Sequence, residues 1–172
     1  MTTLQVADSG FRLFTDAVAA GGVVKAIAVP DGGRIANSAL KPKGDVHEAA
    51  ISAGAGGLLF ARLKITADGA VTIDAPKAVK EALTGREQQL VQACHASDGD
   101  LLLFAAGTRD VVSKTLDKVR QFVAEQLGMV PEGKHNVLWV TDFPMFGFNE
   151  EEQRLEARCP HALTHVRDRH VL

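Results

Sequence analysis

Tyrosine is absent from this 172-residue sequence, tryptophan occurs once, at Trp139, and cysteine twice. With so few flat aromatic surfaces, the chain has little on which the bases of a single-stranded nucleic acid could stack. Cys94 and Cys159 are too few for the framework of a small disulfide-rich secreted domain, and the start MTTLQVADSG has no basic stretch leading into an apolar one. A reducing interior compartment is therefore expected, the cytoplasm, or an organelle if the true N-terminus lies further upstream. Excess charge of either sign is also missing. Nineteen Lys and Arg against twenty-one Asp and Glu leave a net charge of -2, which excludes a basic protein that gathers nucleic acid or anionic lipid through a long-range field. Any RNA contact has to be local. Apolar runs such as Leu101 to Ala106 are far short of the roughly 20 residues that span a bilayer, so no membrane partner is expected.

What is present is ordinary for a globular chain: 46% hydrophobic and 23% charged residues, enough for one domain and a flanking piece of another. The core has to come from Ala, Val, Leu and the eight phenylalanines. Phe11 to Phe14 reads as a strand able to pair with the β-branched run Val23 to Val29, which the turn Pro30-Asp31-Gly32-Gly33 closes. Asp45 to Ala53 begins with a capping residue and continues with helix formers until Gly54-Ala55-Gly56-Gly57 stops it. Leu58 to Ile65 and Val71 to Ile73 flank a turn, Ala67 to Ala70, and form the clearest hairpin. Asp74 and Pro76 mark one helix start, and Thr84 with Glu87 has the spacing of a capping box opening Arg86 to His95. The turn Asp98-Gly99-Asp100 leads into the run LLLFAA, read as a buried strand. From Asp110 to Leu127, the residues Val112, Leu116, Val119, Val123 and Leu127 repeat at helical spacing, with Gly128 placed as a cap. Val137 to Thr141 reads as a further strand. The hairpins require antiparallel pairing, which favours an α+β fold, a two-layer antiparallel sheet with helices on one face, over a parallel dinucleotide-binding sheet. The last fifteen residues, 158–172, are rich in Arg and His without an apolar period and are expected to be disordered.

Several residue groups invite a chemical reading. Gly54, Gly56 and Gly57 would suit an anion-binding loop if a strand preceded and a helix followed, but the order is reversed, so a helix stop is the expected role. Arg62 follows these glycines at a spacing that does not match an ATP-gripping arginine and is read as a solvated strand residue. Cys159, His161, His165 and His170 are capable zinc ligands with no ligand pair at structural-site spacing, and no metal site is expected. Cys94 and His95 are adjacent on a helix and so point about 100° apart, a poor nucleophile and base. Asp98 and Asp100 lack the other ligands of a calcium loop and read as a strand-entry turn. In LWVTDFPMF the residue before Pro144 is pushed out of the helical region, leaving Asp142 at a strand's C-terminal edge. It is the best polar candidate for a substrate contact, beside the competing reading of a structural Asp. No catalytic residue is assigned.

LWVTDFPMF closely resembles the segment by which bacterial-type aspartyl-tRNA synthetases re-enter their class II catalytic sheet after an insertion, the GAD domain. The stretches FRLFTDAV, GAGGLLFARL, SDGDLLLFAAG and the helix ending LGMVPEG are similar to that insertion in order and spacing. The same domain occurs in a subunit of a tRNA-dependent amidotransferase. The resemblance implies a GAD-like α+β domain over residues 1–134, a partial class II catalytic strand and acidic hairpin over 135–157, and an atypical tail over 158–172. The full family enzyme joins aspartate to tRNA with ATP and Mg²⁺. This chain lacks the family's ATP-gripping arginine and its Mg-binding acids, and the family's HHPFT stretch is replaced by Arg158-Cys159-Pro160-His161. The resemblance therefore implies a fragment that binds no cofactor and is inactive alone, whose partner is the remainder of a synthetase. The alternatives are a free-standing GAD module that binds tRNA or a protein, and the amidotransferase subunit.

Overall fold

The computed structural model describes residues 2–4, 11–66, 68–131, 133, 141, 144–149 and 152–157. Contacts divide the chain into two compact units, Met1–Pro131 and Glu132–Leu172. The first is built on a five-stranded sheet of β1 (Thr2–Thr3), β2 (Val23–Val29), β3 (Leu59–Ile65), β4 (Val71–Asp74) and β5 (Leu101–Gly107), in the spatial order β1-β2-β5-β3-β4. Every neighbouring pair is antiparallel. The expected hairpin is β3 with β4, and its turn is closed by the Thr66 amide donating to the Ala70 carbonyl at 3.0 Å.

β5 is the centre of the sheet. Successive side chains of a strand point to opposite faces, and Leu101, Leu103 and Ala105 enter one core cluster while Leu102 and Phe104 enter another. Helices α2 (Asn37–Leu40), α3 (Asp45–Ser52) and α6 (Arg109–Gln126) supply Leu40, Val46, Ala50, Val112, Leu116, Val119 and Val123 to the first cluster. Helices α1 (Arg12–Ala19), α4 (Lys77–Leu83) and α5 (Glu87–Cys94) supply Phe14, Val79, Leu83 and Leu90 to the second. The fold is α+β with an antiparallel sheet, as expected, but the helices cover both faces and make three layers where two were expected. The run LLLFAA already carries the reason, because a strand with no polar alternation has no face to give to water.

The segment read as a strand at Phe11 to Phe14 is the start of α1. Phe11, Phe14 and Val18 recur at helical spacing and all pack against the second core cluster, and this burial decides the conformation of a run too short to decide it locally. The expected pairing with Val23 to Val29 is correspondingly absent, and β2 pairs instead with β1 and β5. Three helix starts also differ. Gly44, not Asp45, is the N-cap of α3, and Asp45 becomes a first-turn acid facing the positive end of the helix. Asp74 ends β4, and Pro76 caps α4. The capping box does not form, because the Thr84 hydroxyl donates back to the Lys80 carbonyl at 2.8 Å, tying off α4 rather than opening α5. The helix stops are as expected. After α3 the amides of Gly54 and Ala55 donate to the carbonyls of Ile51 and Ala50, and after α6 those of Gly128 and Met129 donate to Glu125 and Ala124. Both are two-bond terminations with a left-handed glycine, at φ 93° and 63°.

In the second unit, β6 (Phe146–Asn149) and β7 (Arg154–Ala157) form an antiparallel hairpin where the resemblance placed an acidic one. Its register pairs Phe146 with Ala157 and Phe148 with Leu155, so these four share one face. The other face carries Asn149, whose amide donates to Glu156 at 3.1 Å. The strand read over 137–141 falls almost wholly outside the described residues, as do the tail 158–172 and the piece of catalytic sheet that was to contain that strand.

Thr115 of α6 is fully buried and its hydroxyl has no partner. Replacing it by the near-isosteric valine removes an unsatisfied buried group, so Thr115→Val is expected to raise stability by about 1 kcal/mol. A higher urea midpoint with an unchanged slope would show it.

Candidate functional site

Two features of the first unit place side chains or backbone in unusual surroundings. The first is Arg62 on β3. Residues 61 and 63 face the second core cluster, so Arg62 projects from the opposite face, toward the segment that leaves β2. There its Nη1 donates to the Gly32 carbonyl at 3.1 Å, its Nε and Nη2 to Asn37 Oδ1 at 3.1 and 2.9 Å, and its Nη2 also to the Ile35 carbonyl. Arg62 is thus not the solvated strand residue expected. It gathers three acceptors and fastens the 3₁₀ turn Gly32–Arg34 and the start of α2 to the sheet. Gly32 has to be glycine, because a Cβ there would land on the Cβ of Leu101. Sequence reasoning missed this arrangement, since its acceptors lie 25 to 30 residues away.

The second feature is a cavity of about 360 Å³ beside the start of β3, within the size range of small-ligand sites. Its walls are mostly apolar, with Leu40, Leu58, Phe60 and Phe104 among them, and its polar side chains are Lys41 and His47. No carboxylate lines it. Gly56 and Gly57 form part of the wall, so the glycines singled out in the sequence divide in two: Gly54 stops α3 and the other two border a cavity. His47 Nδ1 is buried without a hydrogen-bond partner.

The remaining candidates take structural roles. Asp98 Oδ1 accepts the Ile65 amide at 2.7 Å, and Asp100, itself buried, accepts the Ser97 amide at 2.8 Å. These carboxylates hold the strand-entry turn that was expected of them. Cys94 packs against the second core cluster while His95 is exposed at a left-handed position, φ 50°. Burial pushes the Cys94 thiol up from its ordinary pKa, which keeps it protonated and weakens it as a nucleophile. Asp142, Cys159, His161, His165 and His170 lie outside the described residues. Among the described residues no three His, Cys, Asp or Glu side chains come together to hold a metal ion, and none of their helices is long and apolar enough to cross a membrane. The described surroundings do not fit ATP with Mg²⁺ either, because the cavity offers no carboxylate for the ion and Arg62 is engaged with the backbone.

The sequence model of the GAD domain matches residues 14–116, more than half of the chain. The chain belongs to the GAD domain family. Curated relatives extend the similarity beyond that domain. The chain is 51% identical over 154 residues to the aspartate–tRNA(Asp/Asn) ligase of Synechococcus sp. strain RCC307, 47% over 152 residues to that of Trichodesmium erythraeum strain IMS101, and 46% over 158 residues to that of Prochlorococcus marinus strain MIT 9211. These alignments take in 87% to 88% of this GAD-domain chain and 25% of each ligase. The chain therefore spans about a quarter of the length of these relatives.

Arg62→Ala would leave the Ile35 carbonyl and Asn37 Oδ1 without this donor and take one of two donors from the Gly32 carbonyl, and is expected to lower stability by about 2 kcal/mol. Arg62→Lys is expected to recover only part of this, since one ammonium cannot fork across three acceptors. Amide hydrogen exchange should accelerate at Arg34 and Ile35 in both variants, and a urea titration gives the stability change. Cys94 in the native chain is expected to react with iodoacetamide at pH 8 several-fold more slowly than in the same chain unfolded in urea, as read by peptide mass mapping. The same upward shift means that stability is lost as pH rises through the thiol's unfolded-state pKa, because the unfolded thiol ionises first.

Proposed function

We propose that this chain forms the GAD insertion of an aspartate–tRNA ligase together with the first segment of the catalytic domain that follows it. The observation that carries the reading is identity of 46% to 51% to such ligases running through 87% to 88% of the chain, well past the end of the domain match at residue 116. In this reading the whole polypeptide joins aspartate to tRNA in the cytoplasm, using ATP and Mg²⁺. Residues 1–134 supply a rigid accessory body, and 135–157 carry the chain back into the catalytic sheet. The β6–β7 hairpin agrees with that return, because its apolar face of Phe146, Phe148 and Leu155 is about half or more exposed, and a two-stranded hairpin needs a surface to pack against. Asp142, at the end of LWVTD, is the side chain assigned to the aspartate substrate. With a net charge of -2, any tRNA contact by this part is local and sensitive to salt.

The sequence lacks the family's ATP-gripping arginine motif and Mg-binding acids, so the 172-residue chain alone is expected to show no aspartate-dependent ATP–pyrophosphate exchange above a blank. Measurable exchange would overturn the reading of an accessory part. An antibody to residues 11–127 is expected to detect a native polypeptide several-fold heavier than 18.3 kDa. A native product of 18.3 kDa would instead support a stand-alone module.

A further inference from the structure

The sheet has an opening beside β5, and its geometry is specific. β3 pairs with β5 from Arg62 opposite Leu101 to Leu59 opposite Phe104, and then leaves the ladder. β5 continues for three more residues, Ala105 to Gly107, paired on its other side with β2. In an antiparallel ladder the backbone groups of successive residues point alternately to the two neighbouring strands. The Leu4 amide donates to the Val24 carbonyl, and the Leu63 amide to the Asp100 carbonyl, which sets the alternation on both sides of the sheet. Val24, directly opposite Ala106, therefore faces β1, and Ala106 faces away from β2 toward the place that β3 has vacated. The next bonded pair along β3 and β5 would join Gly57 to Ala106, and it is not made. Ala106, partly exposed, thus presents an open amide and carbonyl to the cavity that Gly56 and Gly57 border.

Those two glycines are not required by the fold. Neither has a positive φ, and a Cβ built on either meets no atom within 4 Å. Gly54 and Gly32, by contrast, are demanded by a left-handed φ and by contact with Leu101. Glycine without local cause beside an open strand edge leaves room for another backbone to approach. The walls are apolar and the two polar side chains in the lining are Lys41 and His47, with no acid, so the charge of the site complements a carboxylate.

We propose that this notch binds an extended peptide segment that pairs through its main chain with Ala106, seats an apolar side chain in the cavity and sets an adjacent carboxylate beside Lys41. Strand addition of this kind draws affinity from backbone hydrogen bonds and selectivity from the side-chain pocket. An aliphatic carboxylate such as octanoate would match the walls and Lys41 but leave the Ala106 amide and carbonyl unpaired, and that separates the two chemistries. The inference rests on the geometry of the first unit and is independent of the ligase reading.

The test is backbone-amide NMR of the full 172-residue chain with pools of acetylated pentapeptides whose three central positions vary over Leu, Val, Phe and Glu. Millimolar pools are expected to shift the amides of Gly56, Gly57 and Ala106. At a concentration about ten times the dissociation constant of the best peptide, exchange of the Ala106 amide should slow about tenfold. Gly57→Val, which fills open space without strain, is expected to melt within a few degrees of the parent and to lose the shifts. Lys41→Gln should weaken Glu-containing peptides toward their Gln analogues. Octanoate is expected to leave Ala106 exchange unchanged. Pools that shift none of the three amides, Gly57→Val binding as well as the parent, or octanoate protecting Ala106 as strongly as the peptides would each overturn the proposal.

Discussion

Burial of β5 on both faces is the constraint on which the first unit depends. A strand with apolar side chains pointing both ways has to be covered both ways, and it can satisfy its backbone only by pairing on both edges. Each requirement recruits sequence from a different place. α2, α3 and α6 close one face, α1, α4 and α5 the other, while β2 and β3 take the edges. Leu101, Leu102, Leu103 and Phe104 are fully buried, so the strand feeds both cores, as β2 does through Ile27 and Val29 on one face and Val24 and Ala26 on the other.

The same constraint accounts for the two features at the ends of β5. At one end Leu101 has to be covered where β2 turns away, and the covering segment approaches so closely that residue 32 has no room for a side chain. Arg62 then supplies the Ile35 carbonyl and adds a second donor to the Gly32 carbonyl, which already accepts the Ile35 amide. At the other end β3 begins opposite Phe104 while β5 runs on for three more residues, and the sheet opens at Ala106. A clamp and a notch thus sit at opposite ends of β5. Both follow from β3 being offset against a neighbour of equal length, so that only Leu59 to Arg62 pair with β5.

The second unit obeys a different logic. The register of β6 and β7 sorts their side chains into an apolar face and a polar one, yet both faces of this short hairpin are largely exposed. Its order is local, from the turn and from Asn149, which both accepts the Glu152 amide and donates to Glu156. The first unit buries its apolar groups within itself, whereas the hairpin displays them.

Patterns that act within a few residues were legible in the sequence. The β-branched run at β2, the turn between β3 and β4, the unbroken apolar run of β5 and the four-residue spacing of α6 each carry their conformation in neighbouring side chains. So do the stops at Gly54 and Gly128, where a left-handed residue ends a helix. Local pattern failed where a distant partner decided the outcome. FRLF became helix because Phe14 had a core to enter, Thr84 turned back to the Lys80 carbonyl at the end of its own helix, and the helices divided between two faces because β5 offered both. Arg62 and Ala106 were illegible for the same reason, since one finds its acceptors about 30 residues upstream and the other is open only because another strand stops. Composition and periodicity determined the class of fold and most of its elements. Tertiary structure alone decided which backbone groups were satisfied and which were left open, because hydrogen bonds between distant segments depend on packing that no local window contains.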